Sequence, residues 1–387
     1  MGRGCYSQYS ILWIRSISEV KKTVWDELAL ALKTPFLEWD WLYALENSGS
    51  ASQKTGWLPM HVTIWDQKRL VAAAPMYLKT HGDGEFIVDS LWAELADRLG
   101  SFYYPKLVGM SPFTPLEGYR FLIDPGEDEQ ELVEIILREI DVFCLRHGIF
   151  SCNFHFVDPE WKSFVETFGY LAWKHENFIW QNCGLQGFDQ YLQSFKSIQR
   201  RNIKRECQSM SRQGLNIKIY KGTDFPADLI GTMYECYAKT NEQYGPWGCK
   251  YLSLDFFEQI YHLFGSRILN VVASKGDRVV AMAFLVYKKD RVYGRYWGSL
   301  ETIKDLHFNV CYYTPIKWAI DNEIKRFDPG IGGKHKLRRG FRLTPCYSLH
   351  RFYDRRLQLL AHSYIKELNT MEQEHIDLVN SQLPLGQ

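Results

Sequence analysis

The sequence predicts an α/β protein made of two copies of one unit, each about 180–200 residues long. Residues 61–79 and 270–288 both read as β-hairpins, and they align without a gap at a constant offset of 209 residues. Six of the nineteen aligned pairs are identical: Val62/Val271, Arg69/Arg278, Val71/Val280, Ala72/Ala281, Ala74/Ala283 and Lys79/Lys288. The order of elements also repeats, because an aromatic segment, an amphipathic helix and a strand follow each hairpin.

The first half is predicted from the spacing of its apolar residues. Helices are expected over residues 18–32, 37–46 and Glu131–Arg146, and a strand over Ile149–Val157. Residues 81–119 form an insertion rich in Gly, Pro and aromatic residues, which reads as irregular. A segment of that kind is often a lid or a binding loop. The alternative is a surface loop that packs on its own aromatic side chains.

The second half opens with a basic helix that ends at Gly214, ahead of a strand over Leu215–Tyr220. Its cations occupy one face and its flank: Lys196, Arg200, Arg201, Lys204 and Arg205. They indicate either a solvated face or a contact with phosphate, diphosphate or RNA. A helix over Asp228–Tyr244 precedes the second hairpin. An amphipathic tail helix over Arg355–Val379 suits packing on the body or dimerisation.

The segment 291–341 reads as strand, helix, strand and Gly-rich basic loop. Gly294 and Gly298 in the strand Val292–Trp297 suggest a bulge or a close backbone approach. Asp305 is the expected N-cap of a helix that runs to Glu323, with a kink or an early break at Pro315, before a strand over 324–328. The loop that follows carries four cations: Lys334, Lys336, Arg338 and Arg339. This arrangement suits an anionic ligand, and the alternative is an ordinary strand–helix–strand unit with a solvated loop.

Composition limits the class of protein. The chain has 387 residues, 46% hydrophobic and 24% charged, which is typical of a globular protein with room for two domains. A net charge of +1 gives no global attraction to nucleic acid, so any basic site must be local and DNA is not an expected partner. The nine cysteines are scattered without a C-x-x-C pair, which favours a reducing cytoplasm and offers no zinc site.

Targeting and membrane signals are not expected in this sequence. The apolar patch Ile11–Ile14 is too short for a signal sequence and is followed at once by Arg15. No run approaches the ~18 apolar residues of a transmembrane helix. We therefore expect a soluble, cytoplasmic protein without a transmembrane segment.

Eight segments carry a resemblance to a known family. They are TGW (55–57), AAPMYLKTHGDGEF (73–86), YYPKL (103–107), PFTPLEGYR (112–120), KSIQRRNIKRE (196–206), YGRYWG (293–298), LHFNVCYY (306–313) and GGKHKLRRGF (332–341). In this order, across residues 20–360, they resemble the FemAB-type acyltransferases. More closely, they resemble a bacterial family of predicted N-acyltransferases linked to peptidoglycan biosynthesis.

The resemblance implies tandem GNAT-like (acyl-CoA N-acyltransferase) domains, each a mixed central sheet flanked by helices. The N-terminal domain would cover residues 15–175 with the insertion 81–119. The C-terminal domain, 176–350, would hold the donor site, and residues 351–387 would form the helical tail. The activity it implies is transfer of an acyl group from a thioester donor, acyl-CoA, to an amine acceptor, with acyl-CoA as co-substrate and no metal.

The same resemblance assigns expected roles to residues. His307, Tyr296 and Tyr312 are the catalytic candidates, with His307 as the best base. The expected donor-binding residues are Gly294, Arg295, Trp297, Gly298, Ser299 and Lys304. The expected acceptor-binding residues are Lys79, His81, Glu85, Tyr104, Lys106, Arg200, Arg201, His335, Lys336 and Arg339. For several of these, including His307, packing is the competing interpretation.

Two alternatives remain open. One is amino-acid transfer from aminoacyl-tRNA to a cell-wall precursor, with tRNA as a partner of the basic helix. The other is a non-catalytic binding module, since the family motifs have Glu where Asn309 and Lys334 stand here. The GNAT phosphate signature [RQ]-x-x-G-x-[GA] is also missing from the sequence, which weakens the acyl-CoA assignment. The acceptor would be a small molecule or a peptidoglycan precursor, and the protein a monomer or homodimer.

Overall fold

A computed structural model describes residues 9–243, 245 and 248–386. The strands are β1 Tyr9–Ile14, β2 Leu58–Pro59, β3 His61–Asp66, β4 Arg69–Ala74, β5 Tyr77–Lys79, β6 Lys106–Gly109, β7 Leu122–Ile123, β8 Ser151–Phe154, β9 Leu171–Gln181, β10 Leu215–Lys221, β11 Ile268–Lys275, β12 Arg278–Lys288, β13 Arg291–Ser299, β14 Arg326–Asp328 and β15 Arg342–Phe352. The helices are α1 Lys22–Ala29, α2 Trp39–Asn47, α3 Ser90–Arg98, α4 Glu129–His147, α5 Pro159–Glu166, α6 Phe188–Gln193, α7 Ser197–Arg212, α8 Ile230–Glu242, α9 Leu254–Phe264, α10 Leu306–Phe308, α11 Thr314–Asp321 and α12 Arg355–Ser381.

The chain folds into two compact units. The first contains the residues up to His175 together with Cys346–Met371, and the second contains Glu176–Pro345 together with residues 372–386. Helix α12 is therefore divided between the two units at Met371. The predicted helix end at Tyr244 lies outside the described residues.

The first unit holds two sheets. Strands β1, β3, β4 and β7 form an antiparallel sheet in the order β1-β3-β4-β7. Strands β2, β5, β6 and β8 form a mixed sheet, in which β6 and β8 run parallel, and the end of β15 pairs with β8. Helix α4 begins at the Asp128 cap and ends at Gly148, whose left-handed φ of 64° suits glycine.

Both predicted hairpins form, and their irregularities coincide. The pairing of β3 with β4 shifts register between Ile64 and Trp65, and that of β11 with β12 shifts between Ala273 and Ser274. These positions are related by the same offset of 209 residues that aligns the sequences. The left-handed turn residues Gln67 and Gly276 are related by it too. A shared bulge and a shared turn support the interpretation that the halves repeat one unit.

The insertion 81–119 is more regular than predicted. It contains helix α3 and strand β6, and β6 pairs on both sides, with β5 and with β8. Five of the nine residues of α3 are apolar, but the helix is short and lies within a segment rich in Gly and Pro. Trp92 and Ala96 nevertheless bury it against the first unit's core, where both are at most 1% exposed.

The second unit is built on strands β10, β11, β12 and β13, which are antiparallel neighbours in that order. Strand β13 continues into a parallel pairing with β14, and β14 pairs with β9. Helices α6, α7 and α11 pack on this sheet through buried apolar residues such as Leu192, Ile203 and Ile316. The strands β9 and β15 were missed in the sequence, since neither shows a clean alternation.

The helix predicted from Asp305 to Glu323 runs from Leu306 to Asp321 without interruption, and its irregularity lies ahead of Pro315 rather than at that residue. It consists of α10, a π-helical segment Asn309–Tyr313, and α11 with Pro315 in its first turn. Asp305 occupies the N-cap position as expected, but its φ is +63° and its side chain makes no capping hydrogen bond. π-Helical turns of this kind are frequent at functional sites, which directs attention to this segment.

Candidate functional site

The bulge predicted in β13 is present and falls at Arg295. Phe284 pairs with Tyr296 and Leu285 pairs with Gly294, so Arg295 is the extra residue. On its other side β13 pairs with β14 only through Arg291–Tyr293. From Gly294 onward that edge of β13 has no strand partner among the described residues. Its backbone groups can therefore bind a ligand.

Close packing explains why glycine stands at positions 294 and 298 of β13. A Cβ at Gly294 would lie 3.3 Å from Cα of Pro329, where the chain leaves β14. A Cβ at Gly298 would overlap the carbonyl oxygen of Cys236 in α8. Gly298 thus lets α8 lie against the strand, and the structure gives it no role beyond that close approach.

The structure brings together His307, Tyr312 and His335 beside the π-helical segment. The Tyr312 hydroxyl and His335 Nε2 are hydrogen-bonded at 2.9 Å. The His307 ring lies 4.2 Å from Trp297 and 5.3 Å from His335, between ring centres. Tyr296 does not join them, because its ring packs among Tyr237, Phe257 and Phe284.

Both histidines of this cluster are neutral at physiological pH. Burial lowers the pKa of His307 to about 3, and neighbouring cations act in the same direction. Burial likewise lowers the pKa of His335 to about 4. A base with so low a pKa takes up a proton poorly. The expectation that His307 is the general base is therefore weakened, and a hydrogen-bonding role suits these rings better.

The predicted basic loop is a 3₁₀ helix, Lys334–Arg339, and half of its cations are buried. Lys336 and Arg339 are 3% and 2% exposed, while Lys334 and Arg338 face solvent. Lys336 Nζ donates to the carbonyl oxygens of Gly330 (2.6 Å) and Ile331 (3.2 Å). Burial lowers the pKa of Lys336 to about 8. A loop of solvated cations is therefore the wrong description.

Arg339 is held by partners that the sequence did not suggest. Its Nη2 donates to Glu206 of α7 at 2.8 Å, and the Tyr313 hydroxyl donates to the same carboxylate. The guanidinium carbon lies 3.3 Å from the centre of the Phe308 ring. A cation stacked and paired in this way is fixed in place, so Arg339 braces the cluster.

The residues expected to hold a donor pyrophosphate are less suited to it. Lys304 is exposed, but the next residue, Asp305, places a carboxylate at the start of the helix, where it accepts from Ser209 at 3.2 Å. Ser299 Oγ donates to the carbonyl oxygen of Val280 at 3.2 Å. An acidic side chain at a helix N-terminus competes with a phosphate for the same positive field.

The cations of α7 lie on the side of the helix away from the core. Lys196, Arg201, Lys204 and Arg205 are exposed and Arg200 is partly buried. None of the five forms an ion pair with another described residue. The opposite face of α7 buries Gln199, Ile203 and Met210. The face is solvated, as one interpretation predicted, and it leaves five charges available to a polyanion.

A second cluster, in the first unit, surrounds Glu85. Glu85 Oε2 accepts from Lys106 at 2.7 Å and is hydrogen-bonded to His155 Nε2 at 2.8 Å. Lys79 Nζ lies 3.8 Å from the other carboxylate oxygen. The side chains of Glu85, Lys79, Lys106 and His155 are all 0% exposed. The structure thus joins three residues predicted from the sequence and adds His155.

Lys79 occupies an unusual environment. Its Nζ lies 3.6 Å from the centre of the Trp57 ring and donates to the Asp83 carbonyl at 3.0 Å. Burial lowers the pKa of Lys79 to about 7, although Glu85 acts in the opposite direction. His81 and Tyr104, also predicted, lie nearby at the margin, and His81 accepts from the Asp83 amide at 3.2 Å.

The network extends through residues that the sequence did not single out. Lys106 also pairs with Asp89, and the further hydrogen bonds join Tyr103 to Asp89 (2.6 Å), Asn153 to Tyr103 (3.3 Å), His350 to Asn153 (3.0 Å), Ser348 to His350 (2.7 Å) and His175 to Ser348 (2.7 Å). One signal was available, since Asn153 and His155 are two residues apart in the predicted strand Ile149–Val157, and such a spacing places both side chains on one face.

Comparisons with known proteins identify the family. A FemAB-like family model, described as peptidoglycan biosynthesis/recognition, matches residues 16–387. The chain belongs to the FemAB-like family. None of the curated proteins matches the sequence significantly.

Solved structures resemble this FemAB-like protein in fold. The crystal structure of FemX matches with a TM-score of 0.54 and 11% identity, over 90% of this chain and 99% of that one. The C-terminal domain of a protein assigned as a lysylphosphatidylglycerol synthetase, from Agrobacterium fabrum, matches with a TM-score of 0.54 and 9% identity, over 92% and 96%. The tandem GNAT-like α/β fold predicted from the sequence is confirmed.

The two departures from the family motifs have different surroundings. Asn309 is buried, and its Nδ2 donates to the carbonyl oxygens of Glu206 (3.0 Å) and Asp305 (2.9 Å). A carboxylate could not donate these bonds, so Asn309 has a structural role here. Lys334 is exposed at the start of its 3₁₀ helix. Neither residue can serve as a carboxylate base.

Neither a membrane-spanning helix nor a metal-binding cluster occurs in the residues that the structure describes. Among them, no helix is both long and apolar enough to cross a bilayer. In the same part of the chain, no group of three or more His, Cys, Asp and Glu side chains is arranged to hold a metal ion.

Proposed function

We propose that this FemAB-like protein transfers an aminoacyl group from the ester of aminoacyl-tRNA to an amine of a peptidoglycan precursor. The observation that carries the proposal is the edge of β13 that has no partner strand among the described residues after Tyr293. Trp297 on this strand lies against His307, beside Tyr312 and His335. Backbone N–H groups on an edge without a partner strand are suited to stabilise the oxyanion that develops on an ester carbonyl.

The reaction requires little chemistry beyond positioning and one proton transfer. The amine nitrogen attacks the ester carbonyl, the carbonyl C–O bond breaks, and the ribose oxygen of the tRNA leaves. That oxygen takes a proton, and the attacking nitrogen loses one, so no net proton is consumed. In our proposal the Tyr312 hydroxyl protonates the leaving oxygen while neutral His335 returns a proton to it. One ring nitrogen of His335 takes the amine's proton as the other releases its own to Tyr312, so that no imidazolium forms and the low pKa of His335 is no obstacle. Arg339 and Glu206 position the segment that bears them.

The choice of donor rests on charge. A tRNA ester needs contacts to several phosphates. Helix α7 and its N-cap offer five cations that form no ion pair with any residue the structure describes: Lys196, Arg200, Arg201, Lys204 and Arg205. A CoA pyrophosphate would instead bind at the start of α10, where Asp305 supplies a negative charge. Acyl-CoA, the donor expected from the sequence, is the second candidate. The bulge in β13 and its edge without a partner strand would suit the carbonyl of a thioester as well as that of an ester.

The test is a transfer assay with the purified full-length chain. Labelled aminoacyl-tRNA and an acyl-CoA panel are each offered with an amine-bearing peptidoglycan precursor. We expect transfer from aminoacyl-tRNA, and we expect Tyr312→Phe to lower kcat by about 10²–10⁴-fold. Tyr296→Phe is the matched control, since this ring packs away from the cluster, and it should retain most of the activity.

Each contrary result has a distinct meaning. Transfer from acyl-CoA alone would replace the donor with the second candidate. Equal loss in Tyr296→Phe and Tyr312→Phe would contradict the assignment of the proton donor. Binding of a precursor without turnover by any donor would favour the non-catalytic module, which the substitutions at Asn309 and Lys334 also allow.

A further inference from the structure

The second unit contains a cavity that the proposed function does not use. It has a volume of about 350 Å³ and lies between the end of β9, helix α6 and the C-terminal segment. This volume is within the range of pockets that hold small molecules, about 300–1,000 Å³. Its floor is aromatic, formed by Trp180, Tyr191 and Phe195, each at most 3% exposed.

The walls of this cavity are held by main-chain hydrogen bonds. Gly386 N donates to Ser194 O at 2.8 Å, and Lys196 N donates to Pro384 O at 3.0 Å, so the C-terminal segment pairs with the end of α6. The Tyr191 hydroxyl donates to Arg339 O at 3.0 Å. The floor and one wall are therefore preformed, and ordering them would cost little free energy when a ligand binds.

The polar groups of the cavity gather at its mouth. Arg342, Gln181 and Gln193 are exposed lining residues, and their side chains make no hydrogen bond or ion pair with other described residues. No acidic residue is among those that line the cavity. An uncompensated guanidinium beside two amides and above an aromatic floor is suited to a ligand with a negative group and a flat apolar body.

We propose that this cavity binds a small organic anion, an aromatic ring that bears a carboxylate. The ring packs on Trp180 and Tyr191, and the carboxylate pairs with Arg342 at the mouth. This inference does not depend on the proposed aminoacyl transfer, because the side chains that would bind the ligand, Trp180, Tyr191 and Arg342, belong neither to the Tyr312 cluster nor to the basic face of α7. Lys196 and Arg339 contribute only main-chain atoms to the walls. Failure of either proposal leaves the other standing.

The binding test uses three probes of similar shape and different charge. The full-length protein is titrated by calorimetry with 2-naphthoate, naphthalene-2-carboxamide and 2-naphthylmethylammonium. We expect the carboxylate to bind at least tenfold more tightly than either of the others, as a charge-assisted hydrogen bond to arginine provides. Arg342→Gln should remove this preference, while Arg338→Gln, an exposed arginine that does not line the cavity, should keep it.

The rate at which Cys183 is alkylated provides an independent test of where 2-naphthoate binds. Its thiol is exposed and lines the cavity. Bound 2-naphthoate should slow alkylation of Cys183 by iodoacetamide, measured by peptide mass spectrometry, and should leave the rate at Cys249 unchanged. Equal binding of the carboxylate and the carboxamide would overturn the anion assignment. Absence of binding, or binding without protection of Cys183, would overturn the site.

Discussion

The buried carboxylate of Glu85 shows how one charged residue in the interior requires neighbours that compensate its charge. Removing a charge from water is costly, and two lysines and a histidine surround this one where none of them is exposed. Burial would raise the pKa of Glu85, but Lys106, His155 and Lys79 together hold it below its ordinary value. Removal of one of these charged partners should therefore destabilise the ones that remain buried.

Lys106→Met should expose this dependence. The substitution keeps much of the side-chain volume but leaves Glu85 and Asp89 buried without their shared cation. We expect the free energy of unfolding to fall by about 3–5 kcal/mol, measured by chemical denaturation. Lys33→Met is the control in the same unit, because Lys33 and its partner Glu160 are 55% and 81% exposed and an exposed pair contributes about 0–1 kcal/mol. Similar losses in both variants would contradict the argument.

At the scale of the element, β13 joins packing and candidate chemistry. One of its faces lies against α8 so closely that only glycine fits at position 298. The bulge at Arg295 then turns Trp297 toward His307 and Tyr296 toward the aromatic core. We therefore expect the face of β13 that packs on α8 to tolerate no side chain at position 298, and a substitution to alanine tests this expectation.

Gly298→Ala should destabilise the second unit. The added Cβ would overlap the main chain of α8 at Cys236, so the helix or the strand must move. Overpacking of this kind costs about 1–3 kcal/mol, or more when the backbone resists. Gly231→Ala is the matched control within α8, because its Cβ would meet nothing within 4 Å and a helical alanine is favoured by about 0.5–1 kcal/mol. The measurement is the thermal unfolding midpoint, Tm. A Tm of Gly298→Ala equal to or higher than that of the unsubstituted protein would refute the packing argument.

Elements with strong local signals were predictable from the sequence, and others were not. The two hairpins and α4 carry clear turn and capping residues, and the bulge was indicated by Gly294 and Gly298. Strand β15 carries Ser348 and His350 on a buried face, where Asn153 of β8 is hydrogen-bonded to His350 and the Trp92 ring of α3 lies beside it. Burial of that kind depends on contacts distant in sequence, which apolar periodicity does not encode.

The same limit applies to the candidate site. The types of residue near Tyr312 were predictable, since the motifs carry His307 and His335. Their environment was not, because burial decides that Lys336 and Arg339 are enclosed while Lys334 is exposed. Glu206 was read as part of a charged helix, and only the packing of α7 shows that its carboxylate holds Arg339.

Across the whole molecule, buried bases should make stability depend on pH. Burial lowers the pKa of His175 and of His307 to about 3, against an ordinary value near 6.5. Their folded-state pKa values are depressed, so the stability they contribute is present above pH 6.5 and is lost as the pH falls toward 3. Lys79 and Lys336, with pKa values of about 7 and 8, act in the same direction from pH 10.5 downward.

We therefore expect the free energy of unfolding to decrease from pH 7 to pH 5, with about 1–2 kcal/mol from each of the two partly buried histidines. His175→Gln should reduce the decrease by that amount, whatever it does to stability at pH 7 through its bond to Ser348. His362→Gln, an exposed histidine on α12, should leave the decrease unchanged. Chemical denaturation at both pH values measures each difference. An unchanged pH dependence in His175→Gln would mean that this ring is protonated as readily in the folded protein as in the unfolded chain.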